Sequence, residues 1–168
     1  MDNTTLIDLW SRLQLIFAIP QRVFPEIEII DLQEESTRQI ADYLVHHLRG
    51  VTTRFRTFES DDFLEICAVQ HVIDGVGTGD LIGAVSGELS IQHYILPELL
   101  FTFEEPGYLV LSYSTGSHWN PISLIGLFEF FRLIYKIDAR VKIKLSPQYF
   151  DSDWDVIFRS SLRAYLNG

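Results

Sequence analysis

The sequence predicts a single α+β domain in which about four helices pack mostly on one face of a mainly antiparallel sheet of about five to six strands. The chain of 168 residues has the length of one domain, and 47% of its residues are hydrophobic, which is enough for a substantial core. Apolar residues recur at helical spacing near both ends of the chain, whereas alternating patterns and hairpin turns dominate the middle. No repeat or linker divides residues 1–168.

The first third of the chain predicts a helix, a strand and a second helix. Residues 4–18 place apolar side chains three and four positions apart, as one face of a helix does. Residues 26–31 alternate Glu with Ile, which is typical of a strand with one solvent-exposed face. The second helix is expected over about residues 32–48, with Asp31 as its N-cap and Gly50 ending it.

The middle of the chain predicts strands joined by turns. Residues 52–58 alternate as a strand. Residues 61–73 fit either a helix, since Ser60 and two acids are typical of a helix start, or a buried strand, and of the two we favour the strand. Residues 71–83, HVIDGVGTGDLIG, lack both the glycine spacing of a dinucleotide-binding turn and the lysine of a phosphate-binding loop. We therefore expect this stretch to be a flexible loop between two strands. Further strands are expected at 89–95, 99–103, 108–113 and 139–146.

Two helices complete the prediction. Asn120 and Pro121 mark the start of a helix that runs to about Lys136 and is apolar on most sides. Such a helix is buried on two faces, either between the sheet and another layer or, as an alternative, in a homodimer interface formed by residues 121–136. A final helix is expected after residue 151.

The charge distribution carries more information than the net charge of −10. Residues 57–131 contain 11 acidic side chains and no Lys or Arg, whereas residues 132–168 have a net charge of +3. The acids of this 75-residue stretch must face water, meet cations from the flanks or meet a basic partner. Direct binding to nucleic acid is disfavoured, because phosphate recognition needs clustered Lys and Arg.

This pattern predicts a non-enzymatic protein-binding module that uses an acidic surface. Its sharpest form is an immunity- or antitoxin-type inhibitor that blocks a basic, nuclease-like toxin domain, with electrostatic steering of the encounter. The candidate partner-binding residues are the acids at Glu59, Asp61, Asp62, Glu65, Asp74, Asp80, Glu104 and Glu105.

The alternative is a small-molecule-binding domain or an enzyme with a site at residues 114–120, where a strand joins a helix. Backbone N–H groups and the helix dipole at such a junction attract anions. The candidate ligand-binding residues are Ser114, Thr115, Ser117 and His118 as polar groups, with His118 as acid or base, and Trp119 as a stacking surface. The competing interpretation is that Ser117 and Asn120 only cap the helix and that Trp119 belongs to the core.

The remaining features predict a cytoplasmic protein without a bound group. Cys67 is the single cysteine, so no internal disulfide forms, and a reducing compartment fits this usage. The first residues lack the basic and apolar regions of a signal peptide, and charged residues interrupt the longest apolar run, so we expect no membrane span. The histidine spacing indicates no metal site, and we assign neither a cofactor nor a catalytic residue.

Overall fold

The computed structural model describes the chain over residues 3–20, 23–64 and 69–168. Within these residues, five helices and a six-stranded antiparallel sheet form one α+β domain, which confirms the predicted fold class. The elements in chain order are α1 (Asn3–Phe17), β1 (Glu26–Ile30), α2 (Glu34–His47), β2 (Leu48–Thr57), α3 (Val69–Thr78), β3 (Leu81–Ile91), β4 (Tyr94–Glu105), β5 (Tyr108–Tyr113), α4 (Pro121–Ile137), β6 (Lys142–Leu145) and α5 (Ser152–Asn167).

The sheet has the order β2-β3-β4-β5-β1-β6, and every neighbouring pair is antiparallel. Strands β2 to β5 form a meander, and β1 lies between β5 and β6. The register places Ile29 of β1 opposite Leu109 and Ile143, all three of which are buried. Because side chains alternate along a strand, one face of the sheet is apolar and the other carries mainly polar residues.

Helix α4 lies at the centre of the helical layer. Its N-terminus is closed by Asn120, whose side chain accepts hydrogen bonds from the backbone N–H groups of Ile122 and Ser123. On one side Phe130 meets Phe101 of β4 edge-on, with 5.5 Å between ring centroids. On the other side of the helix, aromatic residues pack against Phe158 of α5. The apolar surface of α4 is therefore covered by its own chain, and its burial does not require a second copy.

The glycine-rich stretch is not a loop, and the predicted strand at residues 61–73 is wrong over its C-terminal part. Residues 69–78 form α3, a fifth helix, and Gly83 lies inside β3. The reason is close packing. A Cβ on Gly75 would lie 2.5 Å from Cγ of Leu81, and a Cβ on Gly77 would lie 2.2 Å from Cγ of Arg38. Both glycines therefore let α3 approach β3 and α2 more closely than any larger residue would.

Several predicted boundaries also shift. The expected strand at 89–95 contains a tight turn, because β3 ends at Ile91 and β4 begins at Tyr94. Gln92 occupies the left-handed region in this turn, with φ at 53°. Gly50 does not end α2 but lies within β2 at a register shift, with φ at +69°.

Asp31 is not the cap of α2, since a distant carboxylate holds the start of that helix. Oδ2 of the buried Asp138 accepts hydrogen bonds from the backbone N–H of Gln33 at 3.3 Å and from Oγ of Ser36 at 3.0 Å. Arg140 donates to the other carboxylate oxygen through its backbone N–H and its Nε, each at 3.1 Å. The hydrogen bonds from Arg140 are the main cause that lowers the pKa of Asp138 to about 2.

The depressed pKa of Asp138 predicts a specific acid sensitivity. The ionised carboxylate stabilises the folded state at any pH above its ordinary pKa of 3.8, and this stabilisation is lost as the pH falls from there towards 2. We expect Asp138→Asn to lower the melting temperature at pH 7 and to flatten its fall between pH 4 and pH 2, measured by circular dichroism. The control Asp62→Asn, at an exposed position, should change neither the melting temperature at pH 7 nor its fall between pH 4 and pH 2. An Asp138→Asn variant with the wild-type pH profile would contradict this assignment.

The packing of α3 predicts that replacing Gly75 by Ala destabilises the protein, whereas the same change in an exposed helix is stabilising. In an exposed helix, replacing Gly by Ala stabilises by about 1 kcal/mol. Because the added Cβ would overlap the Leu81 side chain, we expect Gly75→Ala to destabilise the protein by about 1–3 kcal/mol. Urea unfolding measures the change, with Gln70→Ala at an exposed position of the same helix as the control. A gain in stability for Gly75→Ala would show that α3 does not pack in this way.

Candidate functional site

Most of the predicted acidic residues gather at one end of the sheet, which we call the acidic end. At this end β2 finishes opposite the start of β3, with Thr57 paired to Leu81. The turn between β4 and β5 lies beside it, because a Cβ on Gly79 would lie 2.3 Å from Cγ of Pro106. The residues of the acidic end are Glu59, Asp61, Asp62, Asp80, Glu104 and Glu105, and all six are exposed. Asp74 lies nearby on α3, and Glu65 lies outside the described residues.

Few cations balance these carboxylates. Arg56 contacts Asp61, with 3.5 Å between Nη1 and Oδ1. Arg38 is shared between Asp74 at 3.9 Å and two glutamates at the start of α2. The other members of the acidic end make no ion pair within the described part of the chain. Five of the six carboxylates of the acidic end therefore lack a counterion within the described residues, and their charges add to make this end negative.

The acidic end also carries exposed apolar side chains on the segment 58–64. The side chains of Phe58 and Phe63 are 54% and 60% exposed, and Leu64 is 38% exposed. The segment is nevertheless anchored to β2, since the backbone N–H of Leu64 donates to the carbonyl of Phe55 at 2.8 Å. Arg56 adds a hydrogen bond from its Nη1 to a backbone carbonyl of the same segment. Large apolar side chains held in water among acids are typical of an interaction surface.

This apolar component was missed at the level of sequence. The signal was present in FESDDFL (58–64), where aromatic and aliphatic residues flank three acids. The same residues would also suit the start of a buried helix or strand. Whether the apolar side chains are exposed or buried depends on how the segment lies against β2, which the sequence does not show.

The loop 114–120 is largely filled by its own side chains. The carbonyl oxygen of Ser114 accepts a hydrogen bond from the Trp119 indole at 2.7 Å, and it also lies 2.9 Å from Nε2 of His118. Trp119 is 2% exposed and packs on Phe17 with 4.8 Å between ring centroids. It therefore offers no free face for stacking, as the core interpretation expected. The cap formed by Asn120 occupies the N–H groups that start α4.

The other predicted ligand-binding residues of this loop have different environments. Ser117 and His118 are exposed, whereas Ser114 and Thr115 are half-buried. Ser114 also lines a groove on the sheet. His118 lines a second, smaller cavity of about 300 Å³, which it shares with residues of β3 and β4. A ligand role for these residues stays a prediction.

That groove lies on the face of the sheet that the helices leave uncovered, and we call it the open-face groove. Its volume is about 630 Å³. Its lining residues are Val23, Phe24, Glu26, Ser86, Glu98, Leu99, Leu100, Ser112, Tyr113, Ser114 and Tyr149. Partial burial raises the pKa of Glu26, and repulsion from Glu104 and Glu28 raises it further. A hydrogen bond from the Tyr149 hydroxyl opposes this rise in the pKa.

A buried polar cluster on the helical side is closed by the chain itself. Oε1 of Glu129 accepts hydrogen bonds from Tyr165 and Arg132, and Oε2 accepts one from Gln92 at 2.9 Å. Burial is the main cause that raises the pKa of Tyr165, followed by its hydrogen bond to Glu129. The cluster ties the β3–β4 turn to α4 and α5, and its oxygens are already used.

Comparison with known families, with curated proteins and with solved structures found no significant match. Within the described ranges, no helix is long and apolar enough to cross a membrane, and no three His, Cys, Asp or Glu side chains form a group suited to a metal ion.

The environment of the 114–120 loop predicts that its two aromatic residues respond differently to substitution. Trp119→Ala should cost about 3–5 kcal/mol, because it removes a fully buried ring. His118→Ala, at an exposed position, should cost less than about 1 kcal/mol. Chemical denaturation of both variants measures these changes. Equal effects would mean that the loop is not held by the burial of Trp119.

Proposed function

We propose that the protein is a non-enzymatic binding module whose acidic end engages a basic surface of a protein partner. The observation that carries this proposal is the segment 58–64, where exposed apolar side chains lie among exposed carboxylates on a backbone anchored to β2. Energetically important contacts in protein interfaces are large side chains near the centre, surrounded by a polar rim. Phe58 and Phe63 suit the central role, and the acids suit the rim.

The charge of the acidic end adds selectivity for the partner. Uncompensated carboxylates accelerate association with a basic surface and repel acidic competitors. A surface that binds phosphate groups is rich in Lys and Arg, so an acidic surface of this kind is complementary to it. An immunity- or antitoxin-type inhibitor of a nuclease-like domain is the form of this function that we propose to test first.

The proposal predicts which proteins survive selective capture. Wild-type protein and two charge variants are immobilised in parallel and exposed to a lysate of the organism that encodes the chain, and the retained proteins are quantified by mass spectrometry. We expect a basic protein to be retained by the wild type and by Asp153→Lys on α5, but lost with Asp62→Lys. Its association rate with the wild type should fall steeply as salt rises. An empty capture, or a set of proteins that Asp62→Lys retains equally, would overturn the proposal.

The apolar contribution predicts a second, separable effect. Phe63→Ser should weaken binding of the captured partner at least tenfold, mainly through faster dissociation, and its effect should persist at high salt. Val156→Ser is the matched control, because Val156 is 56% exposed on α5. Surface plasmon resonance at two salt concentrations separates the two contributions. Equal effects of both substitutions would show that the segment 58–64 does not anchor the partner.

A further inference from the structure

The open-face groove lies at the other end of the sheet from the acidic end. Its lining residues come from the beginning of β1 and β4 and from the end of β5, whereas the acidic end holds the opposite ends of β4 and β5. A volume of about 630 Å³ falls within the range of about 300–1,000 Å³ that is typical of small-molecule sites. The groove thus shares no lining residue with the surface proposed to bind a protein, although the charge of Glu104 acts on Glu26.

One hydroxyl of the groove is available to a ligand. Ser112 is 7% exposed and lines the groove, and its hydroxyl makes no hydrogen bond to any described residue. The hydroxyl is not among the buried polar atoms that lack a partner, so its oxygen is open to the groove. A ligand in the groove can therefore hydrogen-bond to Ser112.

Two carboxylates of the groove also lack a cation. Glu28, the neighbour of Glu26 on the same face of β1, is paired with Lys144 at 2.8 Å. Within the described part of the chain, by contrast, Glu26 and Glu98 make no ion pair. Both line the groove, and no Lys or Arg is among the described residues that line it. The Tyr149 hydroxyl donates a hydrogen bond to Glu26. The groove is therefore complementary to positive charge.

The spacing of these carboxylates indicates the shape of a ligand. In the register of the sheet, Glu26 lies opposite Ser112, which lies opposite Leu100, and Glu98 is two residues from Leu100 on β4. Two strand spacings and two residues place the Cα atoms of Glu26 and Glu98 roughly 12 Å apart. The surface between them includes Leu100, 40% exposed, and Phe24, which is 65% exposed, lies beside it in the groove lining.

We propose that the open-face groove binds a small organic cation with an aliphatic chain and ammonium or guanidinium groups at its ends. One cationic group pairs with Glu26 and the other with Glu98, while the chain covers Leu100 and contacts Phe24. The hydroxyl of Ser112 accepts a hydrogen bond from a cationic group. This site is independent of the proposed protein-binding function and uses none of the residues of the acidic end.

The test uses cadaverine, a five-carbon diamine, as the probe in titrations followed by calorimetry and by amide chemical shifts of the full chain. Pentylamine, with one cationic group, and pentanediol, with none, are the matched controls. We expect saturable 1:1 binding of cadaverine, weaker binding of pentylamine and no binding of pentanediol. Glu26→Gln should weaken cadaverine binding at least about tenfold, since it removes a charge-assisted contact while keeping the side-chain shape.

A control at the acidic end separates this site from general attraction of cations. Glu105→Gln removes the same charge from an exposed position outside the groove and should leave cadaverine binding unchanged. Ser112→Ala, which leaves the charge untouched, should weaken binding several-fold and keep the melting temperature near that of the wild type. Binding that never saturates, equal losses in Glu26→Gln and Glu105→Gln, or equal binding of the diol would overturn the proposal. None of these outcomes bears on the protein partner.

Discussion

The enclosure of α4 is the constraint on which the rest of the structure depends. A helix that is apolar on most sides must be covered on most sides, and here the sheet covers one side while neighbouring helices cover the others. The aromatic contacts of Phe130 with β4 and of Phe131 with α5 make this arrangement specific. Once the helices have gathered around α4, none remains to cover the second face of the sheet. The open face and the groove on it follow from this one-sided layer.

The same arrangement explains where the uncompensated charge lies. The Lys and Arg residues of the sheet belong to its edge strands, β2 and β6. On β6, Lys144 pairs with Glu28 of β1, and Lys142 pairs with Asp31, which directly follows β1. The inner strands β3, β4 and β5 carry no basic residue. Their carboxylates can leave the core only at the strand ends or on the open face. Glu104 and Glu105 at the acidic end and Glu98 in the groove are carboxylates of this kind. The other acids of the acidic end lie on the segments beside these strand ends, and Glu26 lies on β1.

The sequence could predict much of the fold because local patterns are strong in it. The α+β class, the hairpin at EEPG and the helix that starts at Asn120 and Pro121 all follow from spacing and turn chemistry. Helix α3 could not be predicted in the same way, because glycine lowers local helix propensity. The reason for Gly75 and Gly77 lies in Leu81 and Arg38, which they contact after folding. The cap of α2 is likewise invisible locally, since Asp138 is 105 residues from Gln33.

The candidate site could be predicted in part. The acids between 59 and 105 were identifiable by composition, but their gathering depends on antiparallel connections that return the strand ends to one edge. The apolar side chains of 58–64 and the open-face groove depend on burial, which the printed sequence does not contain. Conversely, the sequence identifies Trp119 as an aromatic residue that could stack on a ligand, but it does not show that the ring is buried in the core.

The central claim is that the acidic end, with its anchored apolar side chains, is the protein-binding surface. The most direct measurement is a titration of isotopically labelled protein with a basic amphipathic peptide of Lys and Leu, followed by amide chemical shifts. The account predicts that the largest changes fall on residues 58–64, Asp80 and the Glu104–Glu105 turn, and that added salt reduces them. Changes spread evenly over all exposed acids, or confined to the open-face groove, would contradict it.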